Sequence, residues 1–108
     1  MVTMTTHTIY QLGQLYRALT DAIRPRGAND AEYQNALHWP LTEITKAIKL
    51  ARQLHVMTPE LNNYCAAVLS DVDPEDIEVE QSGTGLTLSQ QGTFSLGYCK
   101  GMAAAVEG

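Results

Sequence analysis

The sequence predicts an all-α fold, a small bundle of four to five helices with one acidic loop between the last two. Three observations support this. The apolar content is mostly aliphatic and Ala, with one Phe and one Trp in 108 residues, a mix that favours packed helices over a sandwich. Apolar residues recur at spacings of three and four along several stretches. Capping residues and prolines stand where those stretches begin. A chain of this length builds one core, so residues 1–108 are expected to form a single helical domain.

Thr8, with Gln11 three residues on, marks the first helix start. Ile9, Leu12, Tyr16, Leu19 and Ile23 line one face, widened by Leu15, Ala18 and Ala22, until Arg24-Pro25-Arg26-Gly27 ends it. Asn29 and Asp30 offer caps for a short second helix carrying Tyr33, Ala36 and Leu37, closed by Trp39 and Pro40. Pro40 suits the first turn of a third helix, whose inward stripe is Leu41, Ile44, Ile48, Ala51 and, at its end, Leu54. Thr58-Pro59-Glu60 combines a cap, a first-position proline and an acid on the positive helix terminus. Leu61, Tyr64, Cys65, Val68 and Leu69 then face inward.

Ser70 to Gly85 breaks the pattern. Asp-Pro and Ser-Gly-Thr-Gly punctuate it, and Ile77 and Val79 alternate with acids, so 71–85 is expected as an acidic, Gly-rich loop with room for one short edge strand. Thr87 or Ser89 caps the last helix, which sets Phe94, Gly97, Tyr98, Gly101 and Met102 to one side. A helical Gly costs ~1 kcal/mol relative to Ala. Gly97 and Gly101 on one face therefore point to close approach by another backbone.

Charge is segregated along the chain. The formal net charge is −5, yet residues 1–70 hold six cations against five acids, while six of the twelve acidic residues fall between Asp71 and Glu80. Local distribution, more than the total, sets the field that a phosphate meets. Lys46, Lys49 and Arg52 advance by three along the third helix and form a band opposite its apolar stripe. They are candidate phosphate contacts, or else a solvated helix face balanced by Glu43. Arg17, Arg24 and Arg26 extend the band if the fold brings them together. Asp71, Asp73, Glu75, Asp76, Glu78 and Glu80 form either a solvated charged loop or a patch for a basic partner.

Other chemistry finds little support. Asp71, Asp73 and Glu75 begin a calcium-loop pattern, but its glycine position holds Asp76 and its closing glutamate position holds Ser82. Ser82-Gly-Thr-Gly lacks the lysine of a phosphate-binding loop. Cys65 and Cys99 both sit in apolar-periodic segments and are expected as reduced core thiols. Neither they nor His7, His38 and His55 show metal-ligand spacing. No metal, cofactor or small-molecule ligand is expected, and no catalytic machinery. With no apolar run long enough to cross a bilayer and no export signal, the chain is expected to be soluble and cytoplasmic.

Two segments carry a family resemblance. Tyr10-Gln11-Leu12-Gly13-Gln14-Leu15-Tyr16-Arg17-Ala18-Leu19 resembles the opening of the C-terminal helical part of the large subunit of the type I-C CRISPR effector complex. Leu86 to Tyr98, with its Gln91-Gly92 turn, Phe94 and Leu96-Gly97-Tyr98, is similar to that family's terminal stretch. In that family the same region is also made as a separate small subunit, a helical bundle of about this length. The usual Tyr-Tyr-His-Gln ending is here Tyr98-Cys99-Lys100-Gly101.

The resemblance implies a non-enzymatic subunit of a nucleoprotein complex. Its partners would be other subunits and a DNA or RNA backbone, with Arg17, Lys46, Lys49 and Arg52 as phosphate contacts and Gly97 and Gly101 as candidate close-contact points with neighbouring subunits. The alternative is an acidic protein-interaction module, such as a phage-encoded inhibitor that imitates a subunit or nucleic acid through Asp71 to Glu80.

Overall fold

The computed structural model describes residues 4–24 and 27–107, with 102–107 described by backbone alone. Arg26, a candidate extension of the basic band, lies outside the described residues, as does the side chain of Met102. The described residues form six helices and no strand: α1 Thr6–Ile23, α2 Asp30–His38, α3 Pro40–Gln53, α4 Pro59–Leu69, α5 Pro74–Gln81 and α6 Leu88–Glu107.

Local sequence sets most of these boundaries. α1 starts earlier than expected because Thr5 is the cap, accepting from the Thr8 amide at 3.1 Å, while Thr8 itself is buried. Asn29 and Glu32 form a reciprocal capping box on α2. Thr58 caps α4 through the Leu61 amide, and Thr87 and Gln90 bond each other's backbone at the start of α6. Gly101, at φ 68°, kinks α6.

The core centres on α1, which packs against α6, α3 and α4. Ile9, Leu12, Leu15, Tyr16 and Leu19 of α1 meet Ile44, Leu61, Val68 and Phe94 in one buried cluster. α1 and α6 come together at their glycines. A Cβ on Gly13 would collide with the Phe94 carbonyl, and one on Gly97 with the Tyr10 carbonyl. Gly97 therefore serves contact within the chain. Gly101 is also buried, its carbonyl accepting from Gln14 Nε2 at 3.3 Å.

The 71–85 segment departs from expectation. Its middle is α5, with Asp73 at the cap position, Pro74 in the first turn and Glu75 and Asp76 at the positive helix end. Residues 70–73 before it and 82–87 after it connect without regular structure. Two of the six acids face inward, Asp76 at 2% exposure and Glu80 at 6%.

Glu80 explains why this is a helix. The residue before α3, Trp39, gives it no side-chain cap. Glu80 does so from a distance, accepting from the Leu41 amide (3.1 Å), the Thr42 amide (2.6 Å) and the Thr42 hydroxyl (2.7 Å). A carboxylate on unpaired amides at a helix N-terminus gains both hydrogen bonds and the helix dipole. Helical geometry delivers Glu80 to that point.

Two further expectations are corrected. Leu54 follows α3 and is 49% exposed, because the inward stripe ends at Ala51. Cys65 is buried as expected, but Cys99 is exposed, at the edge of a hollow it shares with Arg17 and Ala18 of α1. Among the described residues no helix is long and apolar enough to cross a membrane.

Candidate nucleic-acid interface

α3 sorts its side chains by face. Leu41, Ile44, Ala47 and Ala51 are buried, while Lys46, Lys49 and Arg52 are exposed. The three cations differ in their surroundings. Lys46 Nζ lies 3.6 Å from a Glu43 carboxylate oxygen, and Glu43 is buried whereas the Lys46 side chain is 68% exposed. Lys49 and Arg52 form no ion pair with any described residue. The band thus consists of one cation already engaged by a buried carboxylate and two directed to solvent.

Arg17 stands elsewhere. Its Nε donates to Asp21 Oδ2 at 2.9 Å, and its guanidinium lies 5.3 Å from the centre of the Tyr98 ring. The hydrogen bond to Asp21 and its charge favour the protonated form. Arg17 lines a concavity with Val56, Thr58, Leu61, Cys99 and Lys100. Arg52 lines a neighbouring one with His55, Met57, Thr58, Pro59 and Asn62, and Thr58 borders both. The fold brings Arg17 and Arg52 to adjoining hollows, with Lys100 beside the first. Lys46 is turned toward α1, α2 and α5 instead, near Arg24, Glu32 and Glu80. Arg24 is ion-paired with Glu32 and adds no free cation.

His55 extends the solvent-facing group. It follows α3 with φ 58°, a left-handed conformation uncommon outside glycine, and it is exposed in the hollow that holds Arg52 at the start of α4. The sequence signal for that backbone state is weak: no glycine marks the position, although histidine, like Asn and Asp, is enriched there among other residues.

The acidic residues divide as well. Asp71, Asp73, Glu75 and Glu78 are exposed, while Asp76 and Glu80 are turned into the bundle. α5 packs against the N-terminal part of α3, so the negative helix lies beside Lys46 and not apart from the basic band. Lys49 and Arg52 lie farther along α3 toward its C-terminus.

The aromatic residues serve the interior. Tyr16, Phe94, Tyr98 and Tyr33 form a chain of tilted ring contacts, and the Tyr98 hydroxyl accepts from the Ala28 amide at 3.2 Å. Burial pushes the Tyr64 phenol up to about 12 and raises the Cys65 thiol, keeping both neutral. Among the described residues no three His, Cys, Asp or Glu side chains are grouped to hold a metal ion. Comparison with known proteins gives no match to the chain among family models, curated proteins or solved structures.

Proposed function

We propose that the chain is a non-enzymatic helical subunit of a type I CRISPR effector complex, holding nucleic acid by its phosphates and joining neighbouring subunits through its other surfaces. One observation carries this reading: Lys49 and Arg52 project from one rigid helix into solvent without a carboxylate partner among the described residues. Such cations gain by releasing counterions from a nucleic-acid backbone, and their contacts carry no base information. Sequence choice would then come from guide pairing. The likeness of the two terminal segments to the large-subunit family gives the setting.

The test is fluorescence anisotropy of labelled single-stranded and duplex DNA of arbitrary sequence against the full chain over a range of salt. The double variant Lys49→Ala/Arg52→Ala is expected to bind both more weakly and to lower the salt slope by about two. Equal binding by the double variant and the native chain would sink the proposal, as would a native chain that binds neither DNA.

A second reading, an inhibitor that imitates nucleic acid, draws on the four exposed acids Asp71, Asp73, Glu75 and Glu78. It predicts that the chain blocks DNA binding by a purified type I effector, and that neutralising those four positions removes the block. Its weakness is that Asp76 and Glu80 face inward.

A further inference from the structure

Arg17 is held on three sides. Its Nε donates to Asp21 Oδ2 at 2.9 Å, its guanidinium lies 5.3 Å from the centre of the Tyr98 ring, and a Cβ added to Gly101 would lie 3.3 Å from its Cγ. Its two Nη groups form no hydrogen bond or ion pair with any described residue. Arg17 lines a hollow of about 390 Å³ between α1, the start of α4 and the kink of α6. Lys100, exposed and without an ion pair among the described residues, lines it as well. Thr58 borders it too, and its hydroxyl, which accepts from the Leu61 amide at 3.1 Å, keeps its own proton for an outside acceptor. Ala18, Ala22, Val56 and Leu61 supply apolar lining. Asp21 is the one carboxylate among the lining residues, and Arg17 engages it.

We propose that this hollow binds one nucleotide, its phosphate held by Arg17, Lys100 and Thr58 and its sugar or base set against the apolar lining. The inference goes beyond the phosphate contacts of Lys49 and Arg52, since neither residue lines this hollow. Two cations against one carboxylate leave the lining net positive. A carboxylate ligand would pair best with an open arginine fork through two parallel bonds, but Asp21 already occupies the Nε of this one. The donors left around the hollow are two Nη groups, a lysine ammonium and a hydroxyl. They suit the three oxygens of a phosphate better than the two of a carboxylate. Because Arg17 is already fixed, binding costs it little side-chain freedom. The volume lies at the small end of ligand sites and suits one nucleotide, not a run of several. A free nucleotide and the nucleotide unit of a strand offer the same chemistry.

The probe is thymidine monophosphate, titrated into the isotope-labelled full chain by NMR beside thymidine, which lacks the phosphate, and sodium chloride at matched ionic strength. Saturable shifts of the Arg17 Nε–H and of the Thr58, Lys100 and Gly101 amides are expected with the nucleotide. Thymidine and salt at the same concentrations should leave those signals in place. Arg17→Ala and Lys100→Ala are each expected to weaken nucleotide binding about tenfold or more, while Lys49→Ala/Arg52→Ala leaves it unchanged.

Equal shifts with thymidine would overturn the proposal, since the phosphate would then be idle. So would shifts that grow without saturation, or a Lys100→Ala chain that binds the nucleotide normally. Circular dichroism reports whether Arg17→Ala folds. If it does not, Lys100→Ala, at an exposed position, decides alone. Unlabelled oligothymidine names the source of the ligand. Displacement of the monophosphate, with weaker DNA binding by Lys100→Ala, supports the hollow as a stop on the path of a strand; a monophosphate that stays bound, with DNA binding by Lys100→Ala unaltered, supports it as a site for a free nucleotide. Loss of DNA binding in Lys49→Ala/Arg52→Ala with nucleotide binding intact separates the fate of this hollow from that of the α3 contacts.

Discussion

Helices α1 and α6 meet through glycine, whereas α3 and α5 meet through a carboxylate. In the first pair, Gly13 and Gly97 let backbone touch backbone beside Leu12, Tyr16 and Phe94. In the second, Glu80 reaches 39 residues back along the chain to hold the amide of Leu41. The first contact tolerates no added volume. The second depends on a charge in one place and leaves an open groove beside it. One bundle thus joins its helices in two ways, by shape at its centre and by polar bonding at its acidic edge.

The largest effect that would break this comparison is expected at the glycine contact. Gly97→Val places a branched side chain where the Tyr10 carbonyl already sits, and should destabilise the chain by about 3 kcal/mol in urea unfolding. A loss of only a few tenths would mean that α6 can shift away from α1 at little cost. Next comes Glu80→Ala, which removes the acceptor for two amides and a hydroxyl of α3. It should cost about 2 kcal/mol, with Glu80→Gln losing less. An unchanged urea midpoint would reduce the carboxylate contact to a bystander.

The smallest effect is that of pH. Burial alone would raise the Glu32 carboxyl, but the hydrogen bonds from Arg24 and the Asn29 amide outweigh it and hold it below its usual 4.5. Its contribution to stability is therefore present above 4.5 and declines as pH falls past that value. For Tyr64 the sign is opposite. Its phenol is raised from 10.0 to about 12, so its contribution is present below 10.0 and fades as pH climbs toward about 12. Urea midpoints across both ranges should decline at each end, with the acidic decline shallower in Arg24→Ala.

The same contrast explains what the sequence made legible. α1, α3, α4 and α6 each bury an apolar stripe, and the spacing of Ile9, Leu12, Tyr16 and Leu19, or of Leu41, Ile44 and Ala51, announces it. α5 buries acids and exposes Ile77, so periodicity pointed away from a helix. Its start was nonetheless written in Asp73-Pro74-Glu75, the counterpart of Thr58-Pro59-Glu60 ahead of α4. At the candidate interface, the outward aspect of Lys49 and Arg52 followed from helical spacing, and the Arg17–Asp21 pair is an ordinary spacing of four. The meeting of Arg17 and Arg52 on either side of Thr58 depends on how α1 crosses the α3–α4 connection, which no local pattern encodes. Nor does any local pattern mark Glu43 as buried beneath Lys46.

The unlike placement of the two thiols has a consequence for the chain's chemistry. Cys99 meets solvent in the native state, whereas Cys65 lies on the buried face of α4. A bulky electrophile therefore consumes the first sulfur at once and reaches the second only when the bundle gapes. The molecule carries its own clock for breathing: the slow sulfur counts how often the interior is laid open.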